Sequence, residues 1–223
     1  MSTVLITGAS SGIGAAIAQA LAPRHRLILV ARRRDRLEAM ARALGATIVV
    51  ADLATAEGLA TAAAAVDGPL HALINNAGVF ALAATGAIDR AHLDPLWRIN
   101  VDAPMLLTAA LLPRIASGGF VISISSTVVE QTFARCAAYT ASKCALEGWS
   151  RVLREELRPR SIRVGVIVPG ATDTEIWPAD FAKANRSRMV RSADVAAAVR
   201  LMLEAPAATS FDRIAVTPGS GAV

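Results

Sequence analysis

Tyr139 is the sole tyrosine of the chain, and Lys143, one of two lysines, stands four residues later in Tyr139-Thr-Ala-Ser-Lys143. On a helix that offset places both side chains on one face, one turn apart. A phenol with its ordinary pKa of about 10 is a weak base at neutral pH, and a neighbouring ammonium favours the phenolate. Nearly all other basic residues are arginine, so a lysine retained at this offset points to acid/base chemistry. The plain alternative is an amphipathic surface pair. A hydroxyl close to the phenol could hold a carbonyl or alcohol oxygen, and Ile122-Ser-Ile-Ser-Ser126 offers Ser123, Ser125 and Ser126 for that role. Residue types alone leave the choice among them open.

A second constellation lies at the N-terminus. Thr7-Gly-Ala-Ser-Ser-Gly-Ile-Gly14 joins a strand-like run to the apolar Ile17, Ala18, Leu21 face of a helix. Gly8, Gly12 and Gly14 allow a tight turn and close backbone approach to a pyrophosphate, whose charge then meets the free N–H groups and positive dipole end of the helix. After the next apolar run comes Ala31-Arg-Arg-Arg-Asp35, where a dinucleotide site distinguishes a ribose hydroxyl from a ribose phosphate. Guanidinium forks match phosphate, so Arg32 and Arg33 favour NADP(H) over NAD(H). Asp35 stands near the acidic position expected for NAD, but following three arginines it suits the first turn of a helix. Asp52 and Leu53 follow a third run, where the carboxylate either accepts from an adenine amino group or caps a helix. In Asn75-Asn-Ala-Gly78 the amides can tie strands together, and Gly78 leaves room for a cofactor beside Asn76 and Ala77.

The elements that must position these residues read as an alternation. Apolar runs at Val4–Thr7, Leu27–Ala31, Thr47–Val50, His71–Asn75, Phe120–Ser125, Ile162–Val168 and Arg213–Val216 are separated by Ala-rich helical patterns. Continuous apolar strands predict a parallel sheet covered on both faces by helices, the doubly wound α/β class, with its ligand crevice outside the carboxyl ends of the strands. Residues 171–191 break the alternation and, with Trp177, Pro178 and Phe181, read as a mobile loop or helical lid over a substrate site.

Composition narrows the class. The chain has 223 residues, 54% hydrophobic and 18% charged, which suits one α/β domain over residues 1–223 and excludes broad disorder. A net charge of +5 is carried by scattered arginines, so nucleic acid is not expected as a partner. No apolar run reaches the roughly 20 residues of a membrane span, and no membrane partner is expected. The start, Thr3-Val-Leu-Ile-Thr7, lacks the layout of a secretory signal, and Cys136 and Cys144 suit a reduced compartment without forming a zinc or disulfide pattern; the expectation is a cytoplasmic protein with no metal.

Taken together, TGASSGIG at 7–14, NNAG at 75–78, Ser126, YTASK at 139–143, and Pro169-Gly170 with Thr174 resemble the classical short-chain dehydrogenase/reductase (SDR) family across almost the whole chain. The resemblance implies a single Rossmann-like domain with a seven-stranded parallel sheet of order 3-2-1-4-5-6-7. It implies Tyr139 as general acid/base, Ser126 orienting the substrate carbonyl, and Lys143 lowering the tyrosine pKa, together with the positive charge of an oxidised nicotinamide, while holding the nicotinamide ribose. Asn100, in Ile99-Asn-Val101, is similar to the family's helix asparagine that supports a water in the proton relay. By the same likeness Gly8, Ser10, Ser11, Gly12, Ile13, Gly14, Arg32, Arg33, Asp52, Leu53, Asn76, Ala77, Gly78, Tyr139, Lys143, Pro169, Gly170, Thr172 and Thr174 bind the cofactor. Ser11 stands where some NADP-dependent members carry a basic residue, which leaves the preference to the arginines. The implied reaction is hydride transfer between the nicotinamide and a small carbonyl or secondary alcohol. Phe80, Ser126, Val128, Phe133, Cys136, Trp177 and Phe181 are candidate substrate contacts and suggest an apolar or aromatic substrate. The Thr217–Val223 tail lacks the length that supports some tetramers of the family, and the helices carrying Asn100 and Tyr139 suit a homodimer; homodimer and homotetramer are both expected forms. A rival reading is a non-catalytic dinucleotide-binding sensor of the same fold, against which the intact Ser126, Tyr139 and Lys143 argue. The length and glycine spacing disfavour an extended-type epimerase or dehydratase, and the Tyr-to-Lys gap disfavours an enoyl reductase.

Overall fold

The computed structural model describes residues 1–221; Ala222 and Val223, the end of the tail noted above, lie outside the described residues. Strands β1 (Ser2–Thr7), β2 (His25–Ala31) and β3 (Thr47–Val50) alternate with α1 (Gly12–Leu21) and α2 (Arg34–Leu44). Then α3 (Ala56–Ala64) leads to β4 (Leu70–Asn75). Next α4 (Arg90–Trp97), a π-helical turn (Arg98–Asp102) and α5 (Ala103–Leu111) lead to β5 (Ile115–Ile124), and α6 (Ala137–Leu157) leads to β6 (Arg163–Pro169). The chain finishes with β7 (Thr172–Asp173), α7 (Ala179–Asn185), β8 (Val190–Arg191), α8 (Ser192–Leu203) and β9 (Arg213–Val216).

The main sheet has 7 strands in the order β3-β2-β1-β4-β5-β6-β9, every neighbour parallel. With β9 counted as the seventh main strand, this is the order 3-2-1-4-5-6-7. Alternate residues of each strand enter opposite cores. Val4 and Ile6 join Ile17, Leu21, Val195 and Val199 on the side of α1 and α8, while Leu5, Ile28 and Leu73 join Ala62, Leu107 and Leu153 on the side of α3, α5 and α6. Each fully buried Leu or Ile contributes roughly 1.5–3 kcal/mol, and a strand buried on both faces gains it at every position. The order reverses at β1, whose neighbours β2 and β4 lead away in opposite directions, so the crevice opens above the carboxyl ends of β1 and β4.

Two elements differ from the sequence reading. The fifth strand starts at Ile115 instead of Phe120, because Ile115 already pairs with Leu70; the register then shifts, and Gly118 takes a φ of 79° that favours glycine. Residues 171–191 are less irregular than a plain loop. Thr172 and Asp173 pair with Val190 and Arg191 in a separate two-stranded parallel sheet, so the segment is a helical excursion, α7, closed at its base.

At the opposite end of the sheet His25 and His71 stack with ring centroids 6.1 Å apart, and Phe120 meets His71 edge-on at 5.7 Å. His25 Nδ1 shares a 2.8 Å hydrogen bond with Ser2 Oγ, while its Nε2 is buried without a partner. Desolvation, chiefly, holds both imidazoles below the ordinary pKa of 6.5; nearby Glu204 opposes this at His25, and His25 and Arg163 add to it at His71. The unfolded chain therefore takes up these protons first as the pH falls. Stability is complete above pH 6.5 and declines as the pH drops through the lower folded-state values. Urea unfolding of the H25N/H71N variant should lose less stability between pH 7 and pH 5 than the parent protein; equal losses would rule out these histidines as the source.

Candidate active site

A cleft of about 790 Å³ lies over the carboxyl ends of the central strands. Every residue assigned above to cofactor or substrate lines it; Asn100 stands behind its wall. Gly8 and Gly12 adopt φ values of 65° and 53°, and a Cβ on Gly14 would lie 2.4 Å from the Gly8 carbonyl oxygen, so the turn requires glycine at these positions. Ser11 caps α1 without a side-chain hydrogen bond, and no acidic residue sits in the first turn. The helix thus offers its terminal N–H groups and dipole to an anion, as a pyrophosphate requires.

Hydrogen bonds fasten the strand ends around this turn. Asn76 Nδ2 donates to the Thr7 and Gly8 carbonyl oxygens at 2.8 and 3.3 Å, and Thr7 Oγ1 accepts from the Asn76 and Ala77 N–H groups, both at 3.0 Å. Asp52 Oδ1 accepts from Ala54 N–H at 3.0 Å, while Thr55 caps α3 through a 3.0 Å bond from Gly58 N–H. Of the two roles open to Asp52, the helix cap therefore falls to Thr55. Asp35 occupies the first turn of α2 and does not line the cleft, whereas Arg32 and Arg33 do.

The catalytic candidates converge from three elements. Ser126 follows β5 and caps the short turn Thr127–Val129, accepting weakly from Val128 N–H at 3.4 Å. Tyr139 and Lys143 occupy the buried face of α6. Lys143 Nζ lies 5.9 Å from the phenol ring centroid and donates to the Ile124 carbonyl oxygen at 2.9 Å. An ammonium carries three donors; a Cβ on Gly78 would stand 3.6 Å from Nζ, and the glycine leaves that side open for ribose hydroxyls. Asn100 Oδ1 accepts from Val79 N–H at 2.9 Å, and its Nδ2 donates to the Val79 carbonyl and Ser142 Oγ, both at 3.0 Å. Ser142 in turn donates to the Tyr139 carbonyl at 2.7 Å, so the asparagine side chain braces the wall and α6 together.

The protein alone does not bring the phenol toward neutrality. Desolvation pushes Tyr139 up to about 12, despite the opposing hydrogen bond from Ser126, and Cys136 adds to the rise. Desolvation likewise pushes Lys143 down to about 8 against the pull of Glu147. For Tyr139 burial outweighs the Ser126 hydrogen bond, and for Lys143 it outweighs the attraction of Glu147.

Above Tyr139 the candidate substrate residues form an aromatic file. Phe80 meets the phenol edge-on at 4.9 Å, Trp177 lies 5.2 Å from Phe80, and Phe181 lies 5.0 Å from Trp177. Trp177 is fixed by a 2.8 Å bond from Nε1 to the Thr172 carbonyl. Val128, Phe133 and Cys136 complete an apolar wall. Two acidic residues escaped the sequence reading. Glu147 accepts from Ser125 Oγ at 2.7 Å and pairs with Arg213 at 3.4 Å; its position one turn beyond Lys143 was the available signal. Glu175 pairs with Arg33 and Arg36, and nothing local in the sequence announces it.

Residues 2–185 match the short chain dehydrogenase family model, and the chain belongs to that family. It is 35% identical over 226 residues to an oxidoreductase of Mycobacterium tuberculosis (strain ATCC 25618 / H37Rv), covering 96% of this chain and 90% of the relative. It is 33% identical over 181 residues to the cyclic-di-GMP-binding biofilm dispersal mediator protein of Escherichia coli (strain K12), covering 80% of this chain and 76% of the relative. A short chain dehydrogenase from Burkholderia cenocepacia J2315 in complex with NADP superposes with a TM-score of 0.89 at 32% identity, over 99% of this chain and 97% of that one. Further structural neighbours are complexes with NADP or NADPH.

The lowered Lys143 pKa gives a stability prediction. Its folded value of about 8 lies below the ordinary 10.5, so the buried charge costs stability at pH 7. As the pH rises past 8 the folded state loses this proton first, and the cost fades by pH 10.5. Relative to Lys143→Met, the parent protein should gain on the order of 3 kcal/mol of unfolding free energy across that range. Parallel denaturation profiles for the two proteins would contradict the burial of a charged lysine.

Proposed function

We propose that the chain is an NADP(H)-dependent oxidoreductase acting on a carbonyl or secondary alcohol, with Tyr139 as general acid/base. The supporting observation is the meeting of the Ser126 and Tyr139 hydroxyls, with the Lys143 ammonium beside them, at the floor of an apolar cleft next to a glycine cradle. A bound nicotinamide supplies or accepts the hydride. Ser126 Oγ holds the substrate oxygen, and Tyr139 transfers the proton to or from it. A phenol whose pKa is raised by burial is protonated at neutral pH, the form that donates to a carbonyl oxygen when the reaction runs as a reduction. Lys143 holds the ribose and supplies positive charge beside the phenol. Arg32 and Arg33 favour a 2′-phosphate, and the Phe80, Trp177 and Phe181 file favours an apolar or aryl ketone.

In the same reading the chain is a homodimer or homotetramer, since Leu106 on α5 and Val152 on α6 leave apolar side chains 55% and 58% exposed. Non-catalytic binding is the second reading, favoured by the name of the E. coli relative; there the same cleft holds a nucleotide without turnover.

NADPH oxidation against a panel of aryl and alkyl ketones, with fluorescence titration of NADPH and NADH, tests the proposal. Tyr139→Phe should lower kcat/KM about 10²- to 10⁴-fold while leaving NADPH affinity within a few fold. Intact turnover in that variant defeats the acid/base assignment. Tight NADPH binding without turnover on any ketone supports the second reading, and a preference for NADH overturns the role given to Arg32 and Arg33.

A further inference from the structure

Arg33 has every guanidinium nitrogen engaged. Its Nε and Nη2 donate to Ser10 Oγ at 3.2 and 3.1 Å, Nη2 also reaches Ser11 Oγ at 2.5 Å, and Nη1 donates to Glu175 Oε2 at 3.0 Å. Arg36, in the first turns of α2, grips the same carboxylate at 2.6 and 2.7 Å. Glu175 comes from the far end of the chain. It directly follows Thr174, whose Cγ2 would lie 3.0 Å from a Cβ on Gly12 of the cradle, and it stands two residues before Trp177 of the aromatic file. An anionic oxygen pair shared by two guanidinium groups matches the charge and hydrogen-bond pattern of a phosphate monoester.

We propose that Glu175 is a built-in stand-in for the 2′-phosphate of the dinucleotide, and that it determines how strongly the site prefers the phosphorylated ribose. The inference rests on the NADP(H) reading of Arg33. With no 2′-phosphate bound, the carboxylate keeps Arg33 and Arg36 ordered and ties the 171–191 segment to the adenosine end of the cleft. An incoming 2′-phosphate must take Arg33 from Glu175, and the segment is then released from that tie. A ribose bearing only hydroxyls carries no charge with which to displace the carboxylate. The three side chains are 58%, 42% and 41% exposed, so each pair is individually weak, and the latch is suited to reversal by a ligand.

The test uses the full chain and two probes, 2′,5′-ADP and 5′-ADP, with affinities measured by calorimetry. Glu175→Gln should bind 2′,5′-ADP about three- to tenfold more tightly than the parent protein and 5′-ADP within twofold, in line with the loss of two exposed ion pairs. Asp35→Asn removes an equal charge nearby that forms no ion pair with Arg33 or Arg36, and it should leave both affinities within twofold. Hydrogen exchange supplies an independent readout. Amides of residues 171–191 should exchange faster when 2′,5′-ADP binds the parent protein, and in Glu175→Gln they should already exchange faster before binding. Unchanged 2′,5′-ADP affinity in Glu175→Gln, or an equal gain in Asp35→Asn, overturns the stand-in while leaving the arginine site intact. If the parent protein binds 2′,5′-ADP no more tightly than 5′-ADP, the NADP(H) reading itself fails and the inference falls with it.

Discussion

Burying the Lys143 ammonium at 5% exposure carries a desolvation cost, and the groups around it are arranged about that charge. The one hydrogen bond it makes among the described residues is to the Ile124 carbonyl oxygen, at the carboxyl end of β5. The nearest favourable charge, Glu147, is already shared between Ser125 and Arg213. An ammonium in that position is under-satisfied by the chain itself. Its remaining donors face the gap left by Gly78, where a ligand's hydroxyls would complete them. The same desolvation that makes the lysine costly raises the phenol of Tyr139, so one buried environment sets the protonation of both groups. A site tuned in this way sacrifices stability for chemistry in the absence of ligand, a common compromise at functional positions.

Such a site needs rigid walls, and the parallel sheet supplies them. The inner strands are buried on both faces, which removes freedom from the strand ends where the functional loops begin. Thr7 and Asn76 then fasten the ends of β1 and β4 through short hydrogen bonds, directly beside the glycine turn. Asn100 does the same on the other side. After α4 the chain takes a π-helical turn, and the asparagine that turn carries reaches both Val79 and Ser142. The wall of the cleft and the helix bearing Tyr139 are thereby joined through one amide.

What was legible in the sequence and what was not divides by distance along the chain. Tyr139 and Lys143 are neighbours through helical geometry alone, and Gly8, Gly12 and Gly14 build their turn from local backbone constraints, so residue type and spacing sufficed. The inner strands were visible because burial on both faces leaves a continuous apolar run. The early start of β5 was hidden, since Ala116, Ser117, Gly118 and Gly119 extend no apolar run and join the sheet where Ile115 meets Leu70. The pairs Glu175 with Arg33 and Glu147 with Arg213 were also hidden, because each forms only after distant segments are brought together by the fold. The pKa directions of Tyr139 and Lys143 were hidden for a related reason. Spacing reveals a neighbouring charge, whereas desolvation is a property of everything packed around it.

The 171–191 segment is held at both ends of the cleft by forces of different kinds. At the substrate end Trp177 and Phe181 pack in the file that leads through Phe80 to Tyr139, an apolar contact that salt leaves untouched. At the adenosine end Glu175 is held by exposed ion pairs, which salt and a competing anion weaken. Only Ile176 separates Glu175 from Trp177, and Thr172 and Val190 pin the base of the segment to its own small sheet. Over so short a span of backbone the two ends cannot move independently. A coupling free energy between two sites acts equally in both directions, so if occupancy of the apolar end changes affinity at the arginine end, the reverse follows by the same factor. Any such coupling would run through the one loop that carries both anchors and would require no displacement of Ser126, Tyr139 or Lys143.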